Sequence, residues 1–389
     1  MLTDARDDAF RSGTTGKIDL RALVQVRYAW TNVVESELVQ PGDDGGSLGK
    51  LESATAAQWA LQQRATAQDD DGWRMERAIV RLFAKGGKKV AARLVLDLAE
   101  LHADNPHKAM KLAALELRHS KRFDVTIGYI KRRASLLELF PSAEFEFAWT
   151  GPTDGFLRDM AWSGRDMGVL VRVRPLPKRH WLTVQAMASG GGVEDGLAAE
   201  PGKLLALRLE GEPWQDHLRL GASASLRPDT VQAYNPKKGQ TPIDVIDSGW
   251  MAGADVTLAL GGLELRYEAL TGTRTDLALR KAHQQGREFW SAWGIASYRA
   301  RLWGVGVMPA VRAELLDVDR ADPDHGRRLL GSVAVNVDLG KGARLLVDFS
   351  HYSAQTGTLA LDDVPHASDG TRVPDVEWMR WTAQVQGEF

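Results

Sequence analysis

Seven apolar side chains occupy alternate positions in "KIDLRALVQVRYAWTN": Ile18, Leu20, Ala22, Val24, Val26, Tyr28 and Trp30, with Asp19, Arg21, Gln25 and Arg27 among the residues between them. A helix would scatter such a set around its axis, whereas a strand places all of it on one face. The same period returns in 90–98, 218–226, 250–260 and 263–269, each time with one apolar face and one charged or small face. Sixteen such segments can be counted, at 17–33, 73–85, 88–100, 110–118, 122–131, 164–174, 180–189, 202–211, 216–227, 248–260, 262–271, 289–301, 306–319, 327–339, 342–352 and 376–389.

Their connections are sorted by length. After the even-numbered segments they are tight, as at Gly86, "HSK", "GEPWQ", Gly261 and "GKG"; after the odd-numbered ones they are mostly long and polar, as at 34–72, 132–163, 228–247, 272–288 and 353–375. Short turns at one end and long loops at the other are the organisation of an outer-membrane barrel. A soluble pair of β-sandwiches, the competing architecture, has no cause to separate its connections this way.

Composition is compatible with the barrel. The chain has 389 residues, is 44% hydrophobic and 26% charged, and carries a net charge of -2, which gives no basic signature for nucleic acid. Absence of cysteine excludes disulfides, thiolate metal sites and cysteine nucleophiles. No apolar run is long enough for a transmembrane helix, and the first residues, "MLTDARDDAF", do not have the layout of a leader peptide, so the expectation is a barrel given without one. Residues 1–16 are then a periplasmic segment and 17–389 a single barrel.

Within lipid a sheet must close on itself, because an open edge would leave backbone groups unpaired. That requirement accounts for the tail "VEWMRWTAQVQGEF", whose alternate residues Met379, Trp381, Ala383, Val385, Gly387 and Phe389 are apolar or small up to the final position. It is read as the closing strand, paired with 17–33.

No arrangement for catalysis is recognisable. Nucleophile-elbow, zinc-protease, phosphate-loop and EF-hand motifs are all missing, so no enzyme activity and no cofactor are expected. "GGSLGK" around Gly46, the pair His102 and His107, and the run Asp69–Asp71 read as solvated loop. The polar faces instead supply a charged lumen, with Arg21, Arg27, Arg93, Arg172, Arg174, Arg266 and Arg344 interleaved with acids such as Asp97, Asp124, Glu268, Glu314 and Asp348. Guanidinium rows along a pore wall favour anions, and the nearby acids limit this to a mild preference.

The segment 131–175 carries a family resemblance. "IKRRASLLELFPSAEFEF" followed by "WSGRDMGVLVRVRP" resembles the phosphate-selective porin O and P family, through Lys131, Ser135, Glu138 and Leu139 and then Gly164, Arg165, Asp166, Gly168 and Val169. "GSVAVNVDLGKGARLLVDFSHY" resembles that family's penultimate hairpin, with Asn336 and Arg344. The resemblance implies a barrel of the same strand number, commonly trimeric, whose third long loop, 132–163 here, folds inward to narrow the pore. That loop carries Arg132, Arg133, Arg158, Glu138, Glu144, Glu146, Asp154 and Asp159; with Arg165 and Asp166 beside it, these are the expected constriction residues. The chain departs from the family at "ASGGG" from Ala188 and at Val337–Asp338, and its loop has more acids than bases and no lysine, so phosphate specificity is not carried over.

The expectation is therefore an all-β, antiparallel transmembrane β-barrel of sixteen strands in the bacterial outer membrane, passing small hydrophilic solutes or anions. Its partners would be outer-membrane lipid, further copies in a trimer, and the assembly machinery, which the resemblance implies reads the terminal Phe389. A barrel closed by its loops and serving as anchor or adhesion scaffold is the alternative.

Overall fold

The computed structural model describes residues 18–35, 71–102, 109–139, 145–175, 181–190, 203–228, 231–233, 244–246, 248–273, 288–318, 320, 327–340, 342–354 and 376–389. The expected periplasmic segment 1–16, most of the first long loop, Gly46, Asp69, Asp70, His107 and Glu144 lie outside the described residues.

Sixteen antiparallel strands form the wall. They are β1 (Ile18–Glu35), β2 (Gly72–Gly86), β3 (Val90–Asp97), β4 (Met110–Arg118), β5 (Phe123–Lys131), β6 (Arg165–Val173), β7 (Leu182–Ser189) and β8 (Leu204–Trp214). There follow β9 (Leu218–Arg227), β10 (Gly249–Leu260), β11 (Leu263–Thr273), β12 (Glu288–Tyr298, resumed as Ala300–Leu302), β13 (Val305–Asp317), β14 (Arg327–Gly340), β15 (Ala343–Ala354) and β16 (Val376–Glu388). Each pairs with its neighbours in sequence, and β1 also pairs with β16, so the sheet closes. A separate two-stranded ribbon joins Val231–Ala233 to Asp244–Ile246. Two short helices, α1 (Leu136–Leu139) and α2 (Pro152–Asp159), interrupt the connection between β5 and β6.

The two faces are inverted relative to a soluble protein. Leu205, Leu207, Leu209, Leu220, Val311, Val333, Val335 and Val385 are exposed on the outside, whereas Gln25, Arg208, Asp255, Glu268, Arg312, Asp348 and Gln384 are buried on the inside. Exposed aromatics gather at both ends of the outer face: Tyr28, Trp30, Trp73 and Trp250 near the long loops, and Trp181, Trp214, Tyr298, Trp303 and Phe389 near the short turns. These are the two interfacial girdles of a membrane barrel, where ring edges meet headgroups.

The seam forms as the tail required. Trp30 lies opposite Trp381 and Val24 opposite Gly387. At the end, Ala22 N–H donates to Phe389 O at 3.1 Å and Phe389 N–H donates back to Ala22 O at 2.9 Å. The last residue therefore belongs to the ladder.

Glycine is required where strands approach closely at a positive φ. Gly128 in β5 has φ +137, and a side chain there would run into the Ala113 carbonyl oxygen and Ala114 Cα of β4. Gly128→Ala should destabilise the barrel by about 1–3 kcal/mol, the usual scale of such backbone strain. The heat-modifiability midpoint on semi-native gels reads this; an unchanged midpoint contradicts the strain at that site.

Candidate functional site

The connection between β5 and β6 lies inside the barrel, and the contacts that hold it there can be followed along the loop. At its neck, Arg132 is 1% exposed. Its Nη1 donates to Ala161 O at 2.6 Å and Ser163 O at 3.1 Å, and its Nη2 to Asp166 Oδ2 at 2.9 Å. Glu138 Oε1 accepts from Gly164 N–H at 2.9 Å, and Lys131 Nζ donates to Glu138 O at 3.1 Å. The two ends of the loop are thus tied to each other. Arg165 stands opposite Lys131 in the β5–β6 ladder.

Beyond the neck the loop crosses to the far wall. Glu268 of β11, wholly buried, accepts Leu136 N–H at 2.5 Å, Ser135 Oγ–H at 2.7 Å and Trp293 Nε1–H at 2.8 Å, closing off the open N-terminus of α1. Asp348 of β15 accepts Ala148 N–H at 2.8 Å. Glu314 of β13 accepts Thr153 N–H at 2.5 Å, where the first turn of α2, begun by Pro152, presents unpaired donors. Three wall carboxylates therefore hold three backbone amides of the loop.

Wall donors, mostly arginines, hold its carbonyls in turn. Arg312 Nη1 donates to Trp149 O at 3.0 Å, and its Nη2 reaches both Thr150 O and Glu314 Oε2. Arg344 donates to Phe145 O at 3.1 Å, Asn336 to Glu146 O at 3.1 Å, and Arg227 to Ala161 O at 2.6 Å. Arg266 Nη1 contacts both oxygens of Glu146 at 2.7 Å. A side chain on Gly151, which has φ +95, would collide with the Arg312 guanidinium and the Glu314 carboxylate; only glycine lets the loop pass so close.

Apolar contacts reinforce the seat. Phe156, Leu157 and Trp162 of the loop pack with Leu204, Met251, Leu270, Phe289 and Leu316. Leu136, Leu137, Phe145 and Phe147 pack with Trp293, Ile295, Ala334 and Leu346. These wall residues are buried exceptions to a polar lumen, and the sequence analysis did not single them out. The signal was present as apolar side chains at lumen-facing parity on β8 and β10–β15.

The opposite wall, β16 with β1–β4, meets the loop through Trp378 of β16, whose ring centroid lies 5.3 Å from that of Trp149. Its inward positions carry Arg21, Arg27, Arg74, Arg77, Arg81, Lys85, Arg93, Arg118 and Arg380 against Asp19, Glu76, Asp97, Glu116 and Glu388, nine cations to five acids. Arg27 pairs with Glu76 at 3.2 Å, Arg93 with Glu116 at 2.9 Å, and Arg81 loosely with Glu388 at 3.4 Å. Arg21 stays 56% exposed beside Asp19.

The expected site residues thus separate into groups. Arg132, Glu138 and Asp166 come together at the neck, Arg266 and Arg344 clasp the loop, and Arg21, Arg27 and Arg93 stand on the opposite wall. Arg172 and Arg174 share Asp124, at 3.5 and 2.8 Å. Arg158 pairs with Asp154 within α2 at 2.7 Å and remains half-exposed, while Arg133 places its charge near Glu210 of β8.

A closed sixteen-stranded wall, aromatic girdles and an internal loop after the fifth strand define an outer-membrane β-barrel of the porin fold. Solved structures agree. OmpT of Vibrio cholerae in its trimer form shares the fold with TM-score 0.58 at 10% identity, over 96% of this chain and 100% of that one. The outer-membrane channel DcaP of Acinetobacter baumannii gives 0.57 at 11%, over 96% and 98%, and an anion-selective porin from Comamonas acidovorans gives 0.55 at 11%, over 96% and 100%. No protein-family model and no curated protein matches the sequence. The likeness is thus to outer-membrane porins as a fold, and it does not show the phosphate-selective family expected from residues 131–175.

Removing the Glu268 carboxylate would strand three buried donors, at about 1–3 kcal/mol for each unsatisfied group. Glu268→Ala should therefore loosen the loop while the barrel stays closed. Limited trypsin digestion reads it: cleavage after Arg132, Arg133 or Arg158 should accelerate in the variant relative to the parent, and equal resistance in both contradicts the role of this anchor.

Proposed function

We propose that the barrel is a general diffusion porin for small hydrophilic solutes with a mild preference for anions, and that the loop 132–163 forms its constriction. The observation that carries this reading is the unequal charge of the two walls. On β10–β15, acids and arginines nearly balance, and Arg266, Arg312 and Arg344 are occupied by the loop. A solute passing the loop is confronted instead by β16 and β1–β4, where cations outnumber acids. A low-dielectric wall with one excess sign of charge concentrates the opposite ion along its surface.

The anion-selective porin with the same fold is consistent with this reading, though similarity at 11% identity supports the fold alone. Specific recognition of phosphate is not part of the proposal, because the loop lacks lysine. We further propose that the protein forms a homo-oligomer, a trimer like the trimer form of its fold neighbour OmpT of Vibrio cholerae.

Reversal potential across a planar bilayer in a salt gradient tests the channel and its preference together. The parent should favour the anion, and Arg77→Glu with Arg81→Glu should turn the sign toward the cation. Cation preference in the parent overturns the charge argument. Absence of conductance from a folded, heat-modifiable barrel overturns the channel itself and favours the closed scaffold.

Phe389 serves assembly in this proposal, as a signal exposed at the end of the seam. Deleting it should lower the yield of inserted barrel in cells more than it alters single-channel current. Unchanged insertion counts against a signalling role.

A further inference from the structure

The outer wall is not evenly covered. Across β10, β11 and β12 the outward positions hold small side chains: Ala252 opposite Thr271, Ala254 opposite Ala269, and Ala269 opposite Ala292. Over this floor lies an open groove of about 580 Å³, lined by these alanines of β10 and β11, Thr271, Trp290 and Arg320. That volume falls within the ~300–1,000 Å³ typical of small-molecule sites. Tyr267, exposed, bounds it on the side toward the membrane centre, and Trp250 and Trp290 stand at its other end.

Depth and charge identify the occupant. The groove opens where β10 begins, β11 ends and β12 begins, the end of the barrel that carries the long loops and so faces the outer leaflet. Arg320 lies at this rim, tied to the wall by its N–H donating to Glu288 O at 2.8 Å. Its guanidinium is 3.7 Å from the Glu288 carboxylate, and the two side chains are 54% and 46% exposed. Such a pair holds its partners weakly. Among the described residues, the rim also carries Asp317, which is buried, and Arg327, opposite Asp317 in register.

We propose that this groove is a docking site for one phosphorylated lipid of the outer leaflet, its acyl chain on the alanine floor and its phosphate on Arg320. A fork of guanidinium donors suits phosphate oxygens, and a basic side chain at headgroup depth attracts anionic lipid. Annular lipid of any kind would coat a smooth apolar wall; a recess with a cation at one end selects among lipids. The site lies on the opposite side of the wall from the lumen and does not depend on the reading of the pore.

The test is native mass spectrometry of the barrel released from nanodiscs of phosphatidylcholine containing a minority of phosphatidylglycerol. The parent should retain one phosphatidylglycerol per chain in preference to phosphatidylcholine. Arg320→Glu, at the exposed rim where folding is least at risk, should lower that retention about tenfold, and Ala254→Leu with Ala269→Leu should remove it by filling the groove. Equal retention of both lipids, or retention unaffected by Arg320→Glu, overturns the site. Displacement of the lipid by inorganic phosphate overturns the lipid as occupant. Because the chain has no cysteine, Ala254→Cys also gives a clean probe of the remaining occupant: disulfide-linked dimers in the membrane would show that a second copy covers this face and would overturn the proposal.

Discussion

Backbone hydrogen bonding in a solvent that offers none is the constraint on which the rest of this structure depends. Inside a bilayer each unpaired amide or carbonyl costs several kcal/mol, so the sheet has no stable form until its first and last strands meet. This explains why the chain is ordered up to Phe389, whose own N–H and carbonyl pair with Ala22. It also fixes the pairing register, since a slip of one residue would turn Trp30, Trp381 and Val385 toward the lumen and Arg27, Arg380 and Gln384 toward lipid.

Closure creates a second problem, which the loop addresses. A wide barrel leaves its inner wall facing water, and a long loop inside it loses backbone freedom with little to gain unless it is bonded along its length. Carboxylates answer this at three places. Glu268, Glu314 and Asp348 each accept amides at helix starts or bends where the loop cannot satisfy itself, while Arg227, Arg312 and Arg344 take its carbonyls. A polar seat alone would be exchangeable with water; the packing of Trp162, Phe156 and Phe147 against wall residues keeps water out and strengthens those bonds.

How much of this was legible in the sequence follows from which periodicities are local. A lipid-facing strand writes its own signature, so all sixteen strands could be placed from alternation, and the loop asymmetry gave their orientation. β12 shows the limit: its break at Arg299 leaves no trace in the alternation. The destination of a lumen charge is not local. Arg266 and Arg93 look alike in their strands, yet one clasps Glu146 of a loop 120 positions away and the other pairs with its neighbour Glu116. The more informative residues were the apparent errors of pattern. Met251, Leu270, Phe289, Trp293 and Leu346 interrupt a polar face, and together they trace where the loop docks.

The same geometry clarifies what the family-like motif in 131–175 reports. Ser135 bonds Glu268, Glu138 holds Gly164, and Arg132 holds Asp166, while a side chain on Gly168 would strike the Ala188 carbonyl. Glu138 and Arg132 fasten the neck of the loop, Ser135 ties it to the far wall, and Gly168 lets β6 and β7 approach closely. A motif of this kind therefore carries information about where the loop sits.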